Sequence, residues 1–475
     1  MKVLLTGATG YIGRRLTQRL LEDKDAELRL FVRDSRKVTT DTSVGAEVVE
    51  GDTFNMESLR EAVKGVDVAY YLIHSMEAGR GYEKLDRLSA QNFLDACTEA
   101  GVRRIIYLGG LGVKETASRH LLSRIEVGEV LSSRPDRIQT IWLRAGIIIG
   151  SGSASFEIIR NIVQKLPVMT PPMWVKTLTQ PIAVDDVLEY LTAAKDLSVE
   201  GNLVVDIGSE RMSFLEMLEQ ASDVMGLSRI LIPMLLPTLK LSSYWFMMLT
   251  PVPTRIASAL IEGIRSETVM QNDNARRHFP DIIPMSYEDA LRRALREIEE
   301  NQVISRWSDS SAGEVSDIVD SDIAEAVFID TQTMDLGEVR AEDVFSTITH
   351  LGGHRGWLRY NVLWRIRGAI DKLLGGYGLT RGRRDPEKLR IGDSLDFWKV
   401  ADLVDGKRLL LVSQMVLPGK AWLEFTVAEG KLTQRSYFYP NGILGRLYWY
   451  VTFPFHTPVF RSLADALVES SKRAR

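Results

Sequence analysis

Two groups of residues in this chain have the types and spacing to do chemistry. The first is Thr6-Gly-Ala-Thr-Gly-Tyr-Ile-Gly13, set between the apolar run Met1 to Leu5 and the helical pattern Arg14 to Leu21. Gly7 permits a sharp turn after a strand, Gly10 lets the backbone approach a pyrophosphate, and Gly13 lets the next helix sit close to the strand. The helix start then turns free N–H groups and the positive end of its dipole toward phosphate oxygens. Thr9, Tyr11 and Ile12 belong to the same loop. A strand before and a helix after is the context that makes a glycine triplet a dinucleotide site; a tight turn without a ligand is the bland alternative. The second group is His120 and Arg124, four residues apart and so on one face of a helix. A histidine titrates at about pH 6.5 and can give or take a proton near neutrality. An arginine cannot carry a proton there but can hold a hydroxyl or an oxyanion. A proton donor beside an electrostatic clamp is the chemistry this pair offers; a surface helix bearing basic residues is the alternative.

The elements that must position these groups follow in order. Glu27 to Val32 reads as a second strand, ending in Arg33-Asp-Ser-Arg-Lys37. A site for NAD carries an acidic residue about 20 residues beyond the glycines, to bind the ribose 2′-OH. Arg33 stands there instead, with Arg36 and Lys37 nearby. A guanidinium suits a 2′-phosphate, so NADP(H) is favoured over NAD(H), although Asp34 keeps the second open. Ala46 to Thr53 reads as a third strand bringing Asp52 and Thr53 to the adenine end; Asp52 could accept from the adenine amino group or cap the helix Asn55 to Val63. Val66 to Ser75 reads as a fourth strand carrying Leu72 and His74 into the same cleft. A long helix over 81–100, a fifth strand over 103–112 and a sixth over 139–150 complete the series. Strands alternating with helices predict a doubly wound parallel sheet of the Rossmann type, an α/β fold with the ligand crevice at the C-terminal strand ends.

Residues 1–300 resemble an atypical short-chain dehydrogenase/reductase of the extended, NAD(P)-dependent epimerase-like branch. The matching pieces are the glycine loop, Gly51-Asp52, Leu143-Arg-Ala-Gly146 and Gln180-Pro-Ile-Ala-Val-Asp-Asp-Val187. Typical members use a serine and Tyr-x-x-x-Lys. Here Gly109 and Gly110 stand where the serine should end the fifth strand, and His120-Leu-Leu-Ser-Arg124 resembles a subgroup with His-x-x-x-Arg in place of Tyr-x-x-x-Lys. The resemblance implies an oxidoreductase whose substrate side lies over about 150–300. The segment Pro167 to Leu178 would then reach over the nicotinamide end, with Met169, Met173 and Trp174 either lining an apolar substrate pocket or packing as core.

From Ser305 the composition turns polar and acidic, and 301–325 reads as a linker. From Ala326 onward the pattern is strand-rich and ends in an amphipathic helix, Val459 to Lys472. This region, 326–475, resembles a START/polyketide-cyclase-like α+β fold and an uncharacterised domain that trails this reductase subgroup, on Gly353-His-Arg-Gly-Trp357, Asn361 to Gly368, Arg381-Gly-Arg-Arg-Asp-Pro386, Gly392 to Trp398 and Gly445 to Tyr450. Six of the nine tryptophans follow residue 305, so Trp357, Trp364, Trp398, Trp422 and Trp449 either line a ligand cavity or fill a core of large residues. Arg381, Arg383 and Arg384 read as a solvated loop face, or as a seat for an anionic head group or the other domain.

The bulk numbers bound the rest. The 475 residues imply two or three domains, and 45% hydrophobic with 26% charged residues is ordinary globular composition. A net charge of -4 argues against nucleic acid as a main partner. The single cysteine, Cys97, excludes an internal disulfide framework, reads as a buried helix residue, and with the histidine spacing predicts no metal site. A cytoplasmic address is expected. The apolar stretch 230–250 is broken by Pro233, Pro237 and Lys240 into pieces shorter than a membrane span of about 20 residues. It reads as a buried helix pair, substrate wall or dimer face, with shallow membrane contact left open. The expected function is NADPH-dependent reduction of an apolar or amphipathic carbonyl, enone or quinone-like compound. A non-catalytic NADP(H) sensor or assembly factor is the second reading, and a lipid-binding protein the third.

Overall fold

The computed structural model describes residues 1–38, 45–74, 81–169, 173–232, 262–263, 266–307, 326–379 and 382–473. The chain divides into two compact units, Met1–Ala312 and Gly313–Arg475.

In the first unit, seven parallel strands form one sheet: β1 (Lys2–Thr6), β2 (Glu27–Val32), β3 (Glu47–Glu50), β4 (Val68–Tyr71), β5 (Arg104–Gly110), β6 (Gln139–Ala145) and β7 (Leu203–Ile207). Their order across the sheet is β7-β6-β5-β4-β1-β2-β3. Strand residues point alternately to opposite faces, and β1 shows the result. Val3 and Leu5 join one core cluster and Leu4 the other, all fully buried. Helices α1 (Tyr11–Glu22) and α6 (Val184–Ala194) cover the first face. Helices α2 (Met56–Val63), α3 (Tyr82–Ala100) and α4 (Arg119–Leu131) cover the second. A sheet buried on both faces explains why its strands read as near-continuous apolar runs. Each such fully buried Leu or Val stabilises the fold by about 1.5–3 kcal/mol. The strand order reverses between β1 and β4, and the crevice opens there, beyond their C-terminal ends.

The sixth strand ends earlier than the sequence pattern suggested. At Gly146 a Cβ would come within 1.7 Å of the Gln180 carbonyl oxygen, so only glycine fits where the chain leaves the sheet. Ile148–Ile149 then pairs in parallel with Ile182–Ala183. Helices α5 (Ala154–Lys165), α7 (Phe214–Val224) and α9 (Tyr287–Glu299), with the short α8 (Asn274–His278), complete the α-helices of this unit among the described residues. Part of the expected linker is not linker. Ser305 is fully buried, its hydroxyl donating to the Tyr11 carbonyl at 2.8 Å, and the Trp307 N–H donates to the Gly152 carbonyl at 2.8 Å.

The second unit is an antiparallel sheet with helices. Its strands are β8 (Phe328–Asp335), β9 (Ser394–Leu395), β10 (Trp398–Val404), β11 (Arg408–Ser413), β12 (Gly419–Ala428) and β13 (Lys431–Pro440), in the order β8-β13-β12-β11-β10-β9. Helices α10 (Ala341–Thr349) and α11 (Asn361–Leu373) precede β9, and α12 (Gly442–Arg473) closes the chain. The last helix begins well before the expected Val459. Pro454 and Pro458, which the sequence offers as breakers, lie inside it. The five tryptophans singled out are buried: Trp357 packs on Trp364, Phe397 and Trp398, and Trp449 stacks on Phe328 and Phe438. They serve as core. The basic cluster is also structural where it is described. Arg383 donates to the carbonyls of Thr349, Leu351 and Asp385, and Arg384 pairs with Asp393 at 3.1 Å. Arg381 lies outside the described residues, as does 233–250.

Candidate functional site

The glycine loop closes the N-terminal side of the crevice. Gly7 has φ +71, and a Cβ there would meet the Leu72 carbonyl oxygen at 2.5 Å. Gly13 faces Gly7 across the turn, where a Cβ would meet the Gly7 carbonyl at 2.0 Å. Both glycines are therefore demanded by close approach of backbone to backbone. Gly10 is the N-cap of α1 with φ -82, so its own conformation does not require glycine. No side chain caps α1 and no acidic residue lies in its first turn, which leaves the N-terminal N–H groups for an anion.

A cavity of about 120 Å³ extends from this loop between β1 and β2. Thr9, Arg33, Asp52, Thr53, Leu72 and His74 line it. Arg33 is exposed and has no ion pair or hydrogen bond among the described residues. Asp34, which had kept NAD open, is 5% exposed, is held by Arg36 at 2.9 Å and is not part of the lining. Asp52 does not cap the next helix. Its carboxylate accepts from the Phe54 N–H at 2.9 Å, and Asn55 is the cap of α2. Thr53 is buried and accepts from the Ser89 hydroxyl at 2.7 Å.

A larger cavity of about 430 Å³ continues on the other side of the loop. Gly7, Gly10, Leu72, Ile73 and His74 border both spaces. Tyr11, Ile12, His120 and Arg124 line the larger one, together with Leu108, Leu111, Ile147, Ile158, Phe214 and Trp307. Sequence reasoning missed these last six, which make the wall apolar. Met169 does not line it: the side chain is 2% exposed, in the short pairing of Val168–Met169 with Ile230–Leu231. The side chains of Met173 and Trp174 lie outside the described residues.

His120 and Arg124 do lie on one face of α4, and the helix presents them beside His74 at the end of β4. His74 Nε2 is 3.2 Å from His120 Nδ1, and His74 Nδ1 is 3.0 Å from Asp86 Oδ2. Asp86 is 3% exposed and also accepts from the Ser123 hydroxyl at 3.1 Å. A carboxylate can only accept. With Asp86 ionised, His74 donates through Nδ1, its Nε2 accepts from His120 Nδ1, and Nε2 of His120 remains for a substrate. Burial pushes His74 below the usual histidine range. Burial, then the neighbouring His74 and Arg124 charges, hold His120 well below it. Both shifts favour the neutral rings. Asp86 acts in the opposite direction on both rings.

Arg124 is anchored by donating to the Leu108 carbonyl, and its own carbonyl accepts from the Tyr107 hydroxyl at 2.9 Å. Burial pushes the Tyr107 phenol up to about 12 and the Tyr11 phenol higher still. The glycines at the serine position also have a cause. A Cβ on Gly109 would meet the Trp142 indole nitrogen at 2.4 Å, and one on Gly110 would meet Leu121 at 2.9 Å. Among the described residues no group of His, Cys, Asp and Glu could hold a metal ion, and no helix is long and apolar enough to cross a membrane.

Residues 7–134 match a family model described as NAD(P)H-binding, and residues 323–463 match one described as a protein of unknown function (DUF2867). "Sterol demethylase protein B" of Methylococcus capsulatus is 29% identical over 116 residues, covering 24% of this chain and 35% of its own length. "Ceramide reductase" of Caulobacter vibrioides is 26% identical over 227 residues, covering 47% of this chain and 70% of its own. The chain thus spans about a third of the length of the first of these. Among solved structures, a triphenylmethane reductase of Citrobacter sp. superposes with a TM-score of 0.52 at 20% identity, covering 62% of this chain and 100% of its own. The first unit has a Rossmann-type fold whose residues 7–134 match the NAD(P)H-binding model, and it is similar to a ceramide reductase in sequence and to a nucleoside-diphosphate-sugar epimerase in fold.

Proposed function

We propose that this protein is an NADPH-dependent reductase of an apolar or amphipathic carbonyl, enone or quinone-like compound, with His120 and Arg124 as its catalytic residues. The observation that carries the reading is the Asp86–His74–His120 chain on the wall of an apolar cavity that borders the glycine loop. NADPH over NADH rests on Arg33, a cation without a protein partner among the described residues, and on Asp34 being committed to Arg36.

When bound, the dinucleotide supplies a hydride. The glycine loop and the bare start of α1 would hold its phosphates, and Arg33 would meet the 2′-phosphate. A proton on His120 Nε2 goes to the substrate oxygen, and the ring returns to the neutral state in which Nδ1 donates to His74. His74 and Asp86 keep the ring in the tautomer that leaves Nε2 facing a substrate, as the carboxylate does for other catalytic histidines. Arg124, held by the Leu108 carbonyl, steadies negative charge on that oxygen. The apolar wall excludes water and suits lipid-like substrates. The names of two relatives, one a ceramide reductase and one connected with sterols, point the same way.

The test is NADPH oxidation by the purified chain with apolar ketones, enones and quinones, beside NADPH binding by fluorescence. Turnover with at least one class is expected. Binding without turnover on any class would favour the second reading, a non-catalytic NADP(H) sensor. That reading draws on Arg124 being tied to Leu108 and on the depressed histidine pair.

A further inference from the structure

We propose that the second unit carries a docking face for an anionic lipid bilayer, formed by α11 and the first half of α12. This goes beyond the reductase reading and does not rest on it. On α12, Ile443, Leu444, Leu447, Val451 and Phe455 follow helical spacing, and all are exposed, Ile443 by 84% and Phe455 by 71%. On α11, Val362, Ile366, Ile370 and Leu374 form a second stripe at the helix and its C-cap, with Val362 65% exposed. A surface helix ordinarily turns polar residues outward. Here the inward faces are already anchored, Trp449 on Phe328 and Phe438, and Trp364 on Phe460. The bare stripes are therefore additional to the core, and each is exposed apolar surface of the kind that marks an interaction site.

Charge selects the occupant. From Gly442 to Ala464 the sequence holds no Asp or Glu, and the charged side chains there are Arg446 and Arg461. On α11 the cations are Arg365, exposed, and Arg367 and Lys372, half-buried, whereas Asp371, the one acid of that helix, is fully buried. Asp330, the carboxylate behind α12, is 10% exposed and faces His456 at 3.2 Å. Glu469, beyond the stripe, pairs with Arg359 at 2.7 Å. Apolar and aromatic stripes flanked by arginines match the acyl boundary and the phosphates of an anionic leaflet. Two copies of this chain packed face to face would set like charges against each other.

The test is flotation of the full chain with vesicles of phosphatidylcholine alone and of phosphatidylcholine mixed with an equal amount of phosphatidylglycerol. The expected result is binding to the mixed vesicles that weakens as salt rises, and little binding to the neutral ones. Leu447→Glu with Phe455→Glu should abolish it. Arg365→Gln with Arg446→Gln should weaken it about thirtyfold, at ~1 kcal/mol per arginine near an anionic surface. These are exposed positions, and unchanged thermal melts would show that the fold is kept. Absence of flotation, equal binding to both vesicles, or a dimer that Leu447→Glu with Phe455→Glu makes monomeric would each overturn the proposal, the last by showing that a second copy covers the face.

Discussion

The two ends of the crevice are built from different materials. At the glycine loop the acting groups are backbone: a turn at Gly7, the close approach of Gly13 to it, and the uncapped N–H groups of α1. At the other end they are side chains gathered from separate elements, His74 after β4, Asp86 on α3, and His120 and Arg124 on α4. A backbone site is written in consecutive residues and tolerates almost no substitution. A side-chain site is assembled only when the sheet is, and can be retuned one residue at a time. A crevice divided in this way can keep its backbone end while its side-chain end changes.

Four substitutions test that division, in order of expected effect. His120→Ala should lower turnover by about 10²–10⁴-fold while NADPH affinity, read by fluorescence, stays within twofold by about 0.4 kcal/mol. Equal turnover would remove His120 from the chemistry. Gly7→Ala is the mirror case. Its Cβ meets the Leu72 carbonyl at a left-handed φ, so NADPH affinity should fall by about a hundredfold, with strain of about 1–3 kcal/mol also lowering the melting temperature. Arg33→Ala should weaken NADPH by about 10–150-fold, the worth of about 1.5–3 kcal/mol for charged hydrogen bonds, and leave NADH unchanged in a parallel titration. If both nucleotides weaken equally, the 2′-phosphate assignment falls.

The smallest effect concerns pH. Burial lowers the histidine pair, so the acid form that gives a proton is populated below the ordinary histidine range. The rate of reduction should fall as pH rises through a midpoint lower than 6.5, and the reverse oxidation should rise over the same interval. Asp86 favours the charged form of both rings. Asp86→Asn should move that midpoint further down and cost about tenfold at neutral pH for each unit moved. A profile that does not move would leave Asp86 a purely structural partner.

How much of this was legible follows from the same division. The glycine loop, the strand that feeds it and Arg33 sit within the first stretch of sequence, so spacing alone located them. His74 was placed in the cleft but its partners were not, because Asp86 and Ser123 read as ordinary residues of helices until α3 and α4 pack side by side. The apolar wall escaped for a similar reason: Met169 and the proline-rich segment after it drew attention, whereas Ile147, Ile158 and Phe214 look like any core residue. In the second unit, the length of α12 was hidden by Pro454 and Pro458 and by a first half that is apolar all round, without the period that reveals a surface helix.

The return of Ser305 and Trp307 bears on the order in which the protein is made. Arg15, on α1, is 2% exposed and is satisfied by Ser151, Glu297 and Ser305. Trp307 supplies part of the cavity wall. Ser305 leaves the ribosome 290 residues after Arg15, and until it does the guanidinium on the glycine loop's helix lacks part of its hydrogen bonding. A nascent chain stopped before that point would hold the signature of a nucleotide site without its finished form. A fragment cut at residue 300 should behave as that unfinished chain does.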